Sequence, residues 1–178
     1  ILVNDGENDS GWTTSNTITI LNTAPVATNL QISPTDAKTG DNLVASYTFS
    51  DDDGDTENGS EIRWYKNGIL QPDLNDTLIV VSGNTSKGEN WYFTVRPKDG
   101  ENFGTLQTSP TITILNTAPS ASGLQVLPSD PETGDNLVAS YTFTDADGDS
   151  ESGSEIRWYK NGVLQPDLND TITVGSGN

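Results

Sequence analysis

The chain has 178 residues, with 26 Asp and Glu against 8 Lys and Arg, no His, no Cys, and a formal net charge of -18. This charge makes nucleic acid and anionic membrane surfaces poor partners and favours cations or cationic surfaces. The absence of Cys excludes disulfides, and no apolar run approaches the roughly 20 residues that a membrane-spanning helix needs, so we expect no membrane insertion in this segment.

The chain contains an internal repeat with a period of 94 residues, the separation of Asp51 and Asp145. Residues 20–84 align without gaps with residues 114–178, and 16 of the 65 aligned positions differ. Such similarity between neighbouring copies is typical of a tandem array. We therefore interpret the chain as an excerpt from a longer polypeptide.

The repeat divides the chain into three segments. They are the C-terminal strands of a preceding repeat (1–23), one complete repeat (24–117) and the N-terminal part of a following repeat (118–178). The first segment holds strand residues that the last segment lacks, so the two ends could complement each other between chains. A strand-exchanging filament subunit is therefore an alternative to an arbitrary excerpt, and such chains should polymerise head to tail.

The complete repeat reads as seven short β-strands separated by turn residues. We predict strands at 26–33, 43–49, 61–66, 69–71, 77–81, 91–96 and 108–115. Alternation of apolar and polar residues predicts one buried and one solvated face. The predicted inward residues are Leu43, Ala45, Tyr47, Phe49, Ile62, Trp64, Leu78, Val80, Trp91, Phe93 and Val95. Regular turns between such strands are typical of a β-sandwich, so the predicted fold class is all-β.

Three features resemble a known group of protein modules. The features are the tryptophan of IRWYKNG (62–68), the DG-containing loop after the sixth strand, and NTAP (22–25). They resemble the immunoglobulin-like, PKD-like and cadherin-like modules found in tandem on bacterial and archaeal surface proteins. The resemblance covers the whole chain and implies tandem seven-stranded immunoglobulin-like β-sandwich modules. The chain departs from antibody-type domains in lacking both core cysteines, and from PKD domains in lacking their WxFGDG motif.

An acidic stretch at 51–57 (DDDGDTE) returns at 145–151 (DADGDSE). Neighbouring carboxylates repel each other by about 1 kcal/mol per close pair even in water, so a compact loop needs a compensating cation. Calcium prefers about six to eight oxygen ligands, and Asp-x-Asp-Gly-Asp supplies such ligands densely. We predict Ca²⁺ as the cofactor, with a solvated acidic loop of a salt-adapted protein as the alternative. An EF-hand is not the model, because the glycine comes one place too early and no helices are predicted beside it.

The predicted strand order brings three acidic loops, 50–60, 72–76 and 98–101, to the pole where residues 22–25 enter from the preceding module. We therefore expect a cluster of carboxylates at each joint between modules. The predicted metal ligands are Asn22, Asp51, Asp53, Asp55, Asp99 and Glu101 at the first joint, Asn116, Asp145, Asp147 and Asp149 at the second, and Asp5 and Glu7 in the first segment. Asp73 and Asp76 are weaker candidates, and so is Asp52, which Ala146 replaces in the next copy. In cadherin-like modules a similar joint holds calcium and stiffens the array.

The sequence carries no sign of enzyme chemistry, because it has no His or Cys nucleophile or base, no Gly-x-Ser-x-Gly and no phosphate loop. The resemblance implies a structural or adhesive segment of a long extracellular or cell-surface protein, such as an adhesin stalk, a filament or a surface layer. Expected partners are neighbouring repeats of the same chain, with self-association as a variant. A carbohydrate-binding module with glycan partners is a further alternative, although near-identical serial copies favour a spacer.

Overall fold

The computed structural model describes residues 1–177 and is all-β, with 38% of residues in strands and 5% in short helical turns. The first eight strands are β1 Val26–Ser33, β2 Leu43–Ser50, β3 Glu61–Lys66, β4 Ile69–Leu70, β5 Ile79–Val80, β6 Asn90–Arg96, β7 Gln107–Thr108 and β8 Ile112–Thr113. The last five are β9 Ser120–Leu127, β10 Leu137–Thr144, β11 Tyr159–Lys160, β12 Val163–Leu164 and β13 Thr173–Val174. Three single 3-10 turns, Pro72–Leu74, Ser82–Asn84 and Pro166–Leu168, are the helical elements of the described residues. No helix in residues 1–177 has the length and apolar character needed to cross a membrane.

The complete repeat folds into two antiparallel sheets. One sheet has the order β1-β2-β5, and the other has the order β4-β3-β6-β7. β8 pairs with the start of β6, at Asn90 and Trp91. The two sheets share one hydrophobic core, to which Leu43 and Val80 contribute from the first sheet and Trp64, Trp91 and Phe93 from the second. The core therefore lies between the two sheets and leaves the loops at their ends free to carry polar groups.

Three aromatic side chains form the centre of this core. Trp64, Trp91 and Phe93 are all 0% exposed, and the Trp64 ring centroid lies 6.3 Å from Trp91 and 5.4 Å from Phe93. The indole Nε1 of Trp64 donates a hydrogen bond of 2.9 Å to the carbonyl of Thr77, which satisfies its one polar group. Large aromatic residues bury much apolar area, so this cluster contributes strongly to the stability of the repeat.

Most predicted strand positions are confirmed, but the strand predicted at 77–81 is shortened to Ile79–Val80, and two further predictions need correction. Leu78 was predicted to be buried but is 46% exposed: its carbonyl accepts the N–H of Ala45 in β2, yet it lies before the two-residue strand β5, of which Val80 alone reaches the core. The last predicted strand, 108–115, is divided into β7 and β8. Pro110 lies at the break and has no N–H to donate, so the strand cannot continue through it.

The edge strand β1 contains an irregularity. Its pairing register with β2 shifts between Thr28 and Gln31, where Asn29 has a φ of 53°. In the next copy the pairing of β9 with β10 shifts at the equivalent place, and Gly123 has a φ of 60°. Asn and Gly both tolerate the left-handed region, so the two copies build the same bulge with different residues.

The segment 1–23 differs from the expectation of strands. It forms no strand, its single isolated bridge joins Asn4 and Asp9, and Ile18 and Ile20 are 77% and 85% exposed. Ile112, which lies 94 positions after Ile18, pairs with β6 and is buried. Residues 1–23 include counterparts only of the last two residues of β6 and not of Asn90 and Trp91, with which β8 pairs, so these isoleucines have no strand to pair with.

The segment after residue 118 reproduces only part of the complete repeat. Strands β9, β10 and β13 form a sheet like β1-β2-β5, offset by 94 residues, while β11 and β12 form a separate hairpin. The sequence ends before any counterpart of β6, β7 and β8. A groove of about 540 Å³ lies between this sheet and residues 154–158, and Phe143, Ile156 and Trp158 line it.

Candidate metal centre

The first acidic loop follows β2 and is fixed at both of its ends. Asp51 comes directly after the last residue of β2, and the Tyr47 hydroxyl donates a hydrogen bond of 2.6 Å to Glu57 at the other end of the loop. Burial and this hydrogen bond raise the pKa of the Tyr47 phenol, so it stays a donor at neutral pH. The same bond recurs between Tyr141 and Glu151 in the next copy.

Within this loop the structure brings three predicted ligands together. Carboxylate oxygens of Asp51, Asp53 and Asp55, here called the first triplet, lie within 4.8 Å of one another. Asp51 Oδ1 accepts the backbone N–H of Asp53 at 2.9 Å and of Asp55 at 3.2 Å, and Gly54 turns the chain with a φ of 81°. The Asp-x-Asp-Gly-Asp pattern thus folds on its own backbone, and these local hydrogen bonds bring its acids together.

The entering linker contacts this pole of the repeat directly. The backbone N–H of Thr23 donates to Asp53 Oδ2, and the Asn22 side-chain amide donates to Asp99 Oδ2 at 2.9 Å. Asp99 lies in the loop after β6, so the linker joins two of the three predicted acidic loops. We call residues 22–25, the first triplet and Asp99 together the first joint.

The oxygen atoms of the first triplet suit a hard cation. Asp51 Oδ2 is buried and has no hydrogen-bond partner among residues 1–177. A buried carboxylate oxygen without a partner is costly, and a bound cation would satisfy it. Three carboxylates are fewer than the roughly six to eight ligands of calcium, so backbone carbonyls or water would complete the sphere.

The second triplet, formed by Asp145, Asp147 and Asp149, repeats the arrangement. Its carboxylate oxygens lie within 4.8 Å of one another. The backbone N–H of Thr117 donates to Asp147 Oδ2 at 2.6 Å, just as Thr23 donates to Asp53. Asp147 Oδ1 and the Thr39 hydroxyl are both buried, and neither forms a well-shaped hydrogen bond within residues 1–177. The Thr39 hydroxyl nevertheless lies near Asp147 and is the largest of the causes that lower the pKa of this carboxyl group.

Several predicted ligands lie outside the two triplets. Asp99 binds Asn22 and is not part of the first triplet, while Glu101 donates its backbone N–H to Asp99. Asp5 accepts the backbone N–H groups of Glu7 and Asn8 in a turn of its own, so the pair Asp5 and Glu7 forms no acidic cluster with a third residue of the described chain.

The weaker candidates also serve other purposes. Asp76 accepts the N–H of Ile62 at 3.0 Å and forms an ion pair with Arg63, so it stabilises the start of β3. Asp73 lies in the 3-10 turn Pro72–Leu74 and is exposed, and Asp52 is exposed beside the first triplet without belonging to it.

The sequence did not predict three of the groups that meet at the joints. They are the backbone N–H of Thr23, the side chain of Thr39, and Lys87, whose ammonium reaches Asn116 Oδ1 at 3.0 Å. The repeat of NTAP at 22–25 and 116–119 was a signal for the first, since it placed the same linker before each acidic loop. Residues 39 and 87 have no such signal, because their positions at the joint depend on how the complete repeat closes.

Replacing Asp99 with Asn is expected to destabilise the repeat in a pH-dependent manner. The hydrogen bond from Asn22 and the backbone N–H groups of Asn102 and Glu101 lower the pKa of Asp99. An ionised carboxylate with a lowered folded-state pKa stabilises the fold above the usual Asp pKa of about 3.9, and this contribution is lost as the pH falls through the folded-state pKa. The midpoint difference between wild type and Asp99→Asn should therefore be present at neutral pH and close on acidification.

Thermal unfolding of both proteins from neutral to strongly acidic pH measures this difference. Asp52→Asn is the matched control, because it removes the same charge from a side chain that accepts no hydrogen bond from residues 1–177. Equal pH profiles for the two variants would contradict the assigned role of Asp99.

Comparisons with protein-family models, with curated proteins and with solved structures give no match to this chain. The functional conclusion therefore rests on the repeat, on the fold and on the geometry of the joints.

Proposed function

We propose that the chain is a segment of a tandem array of immunoglobulin-like β-sandwich modules in a long extracellular surface protein or filament, and that calcium stiffens the joints between modules. The role is structural or adhesive and not enzymatic. One observation carries the proposal: the linker donates a backbone N–H to the middle acid of each triplet, from Thr23 to Asp53 and from Thr117 to Asp147. A cation bound in either triplet would therefore act at a joint.

The local charge supports a cation at these positions. Each triplet concentrates three carboxylates, and the chain as a whole has a formal net charge of -18. A divalent ion would reduce the repulsion among the three acids and hold the loop in the conformation that receives the linker. Oxygen-only ligands favour calcium or magnesium over softer metals, and the irregular geometry of a loop suits calcium better than magnesium.

Calcium is expected to raise the midpoint of thermal unfolding of the 178-residue chain more than magnesium does at matched ionic strength. At a free calcium concentration about a hundredfold above the dissociation constant, one site adds roughly 2.7 kcal/mol to the free energy of unfolding. The measurement compares calcium, magnesium and EGTA by circular dichroism. The calcium-specific increase should be reduced in a variant carrying Asp51→Asn, Asp53→Asn and Asp55→Asn.

A charge-matched control separates binding from screening. The changes Asp36→Asn, Asp52→Asn and Asp130→Asn also remove three negative charges but leave both triplets intact. This control should keep the calcium-specific increase. If every salt raises the midpoint equally in all three proteins, the triplets are screened acidic loops and the calcium proposal fails.

Strand exchange between copies is a second candidate function, and the identical sequence of residues 17–25 and 111–119 favours it. Phe143, Ile156 and Trp158 line the groove beside β10, while Ile18 and Ile20 at the other end of the chain are exposed. Residues 111–119 include the core residues Ile112 and Ile114. Sedimentation of the same samples distinguishes the two candidates, since an array segment stays monomeric and an exchanging subunit forms head-to-tail polymers at high concentration.

A further inference from the structure

Lys87 forms a contact between neighbouring modules that the acidic motif does not predict. It lies after β5 in the complete repeat, yet its ammonium forms an ion pair with Asp149, 62 positions later in the chain. The same ammonium donates to Asn116 Oδ1 at 3.0 Å. Lys87 thus contacts both the linker and the acidic loop of the following module.

The surroundings of Lys87 hold the three chain segments together. Thr117 donates its N–H to Asp147 and its hydroxyl to the carbonyl of Thr39 at 3.0 Å. The N–H of Leu115 donates to the carbonyl of Ala37 at 2.7 Å. The loop 37–39, the linker and the second triplet therefore meet at one place, here called the second joint, and Lys87 is the cation that the chain itself provides there.

We propose that Lys87 is the resident counter-ion of the second joint: its ammonium bridges the linker to the second triplet and fixes the orientation of the two modules without metal. A consequence, which rests on the proposed calcium function, is that Lys87 weakens the binding of a divalent cation in the second triplet.

Among residues 1–177, Lys87 pairs with Asp149 of the second triplet, and the first triplet has no ion pair with a Lys or Arg because the position 94 residues before Lys87 precedes Ile1. A divalent ion that enters the second triplet must displace the ammonium or remain beside a like charge. In a longer array, the counterpart of Lys87 in each complete repeat would lie beside the linker that follows that repeat. The internal joints would therefore resemble the second joint.

The ion pair is partly exposed, with side-chain exposures of 39% for Lys87 and 47% for Asp149. Exposed ion pairs add little to the stability of a fold, so an unfolding midpoint is a poor readout for this contact. The orientation of the modules is the better readout, because the contact links groups that the polypeptide otherwise joins only through the linker and the loop 37–39.

The first experiment measures the joint directly in the absence of metal. The chain has no Cys, so Ser46→Cys and Ser140→Cys, at equivalent exposed positions of β2 and β10, accept spin labels without interference. Double electron–electron resonance in EDTA should give a narrow distance distribution for this chain. Lys87→Gln and Asp149→Asn should each broaden the distribution, and the double variant should broaden it no further.

Lys160→Gln is the matched control. It removes the same charge from an exposed side chain of β11, outside the second joint, and Lys160 forms no ion pair within residues 1–177. This variant should keep the narrow distribution. An unchanged distribution in Lys87→Gln, or equal broadening in both lysine variants, would overturn the proposed bridge.

The second experiment tests the consequence with calcium alone as the probe. In a chain whose first triplet is changed to Asn, Lys87→Gln should tighten calcium binding about tenfold, since a unit positive charge beside the ion is removed. The same substitution should leave binding unchanged when only the first triplet remains. If neither triplet binds calcium, the proposed calcium function fails, and the distance measurement still decides whether Lys87 bridges the modules.

Discussion

Replacing Trp64 with Ala is expected to lower the free energy of unfolding of the complete repeat by about 3 to 5 kcal/mol, the usual cost of truncating a fully buried tryptophan. Trp64 is 0% exposed and packs against Trp91 and Phe93, so its loss leaves a cavity between the two sheets. The carbonyl of Thr77 also loses the hydrogen bond from the indole. Such a loss is a large share of the roughly 5 to 15 kcal/mol that stabilises a typical domain.

The chain contains its own control for this substitution. Trp158 is the tryptophan of the second copy of IRWYKNG, at 156–162. Its indole donates the equivalent hydrogen bond, to the carbonyl of Thr171 at 2.9 Å. It lines the open groove and is only partly buried, so Trp158→Ala should cost far less, about 1 kcal/mol. Urea unfolding followed by circular dichroism measures both variants. Equal losses would show that burial between the two sheets does not determine the contribution of this residue.

Replacing Gly104 with Ala is expected to destabilise the repeat by about 3 kcal/mol, at the upper end of the cost of overpacking. A Cβ at this position would lie 1.9 Å from the carbonyl oxygen of Pro25 and 2.8 Å from Pro97 Cγ. Pro25 and Pro97 are both fully buried, so the added methyl cannot be accommodated by a side-chain movement alone. The backbone of the linker would have to move away from the loop that follows β6.

Gly83→Ala is the appropriate comparison, because Gly83 has no heavy atom within 4 Å of an added Cβ and no positive φ. That variant should unfold at nearly the same urea concentration as the wild type. Gly104→Ala should also weaken the hydrogen bond from Asn22 to Asp99, which NMR chemical shifts of the Asn22 side-chain amide would report. A wild-type midpoint together with unchanged amide shifts would show that the linker tolerates the methyl group.

Local sequence patterns predicted much of the complete repeat. The bounds 26–33 and 61–66 are confirmed, and so are the inward positions of Leu43, Trp64 and Phe93. Strict alternation determines which side chains face the core once a strand is long enough to be paired along its length. The prediction for Leu78 was wrong because β5 has only two residues. Pairing over so short a strand does not determine which face the preceding side chain occupies.

The candidate site was predictable only where its geometry is local. The Asp-x-Asp-Gly-Asp pattern brings the carboxylate oxygens of each triplet together through its own backbone, while their role as metal ligands stays a prediction. Glu101, Asp5 and Glu7 lie outside the triplets, because their positions depend on loop paths that no periodicity determines. The contact between Lys87 and Asp149 joins loops of two different repeats, so one repeat considered alone could not reveal it.

The bulge in β1 has a consequence for how a chain of near-identical repeats reaches its native state. β1 is an edge strand, and three-quarters of the positions in residues 20–84 have an identical partner 94 residues later. During synthesis, an emerging edge strand could pair with the wrong copy of β2, a misassembly typical of repeat proteins. The shifted register at Asn29 interrupts the row of free N–H and C=O groups along that edge. The same device at Gly123 protects the following repeat, so each copy limits aggregation with its neighbours.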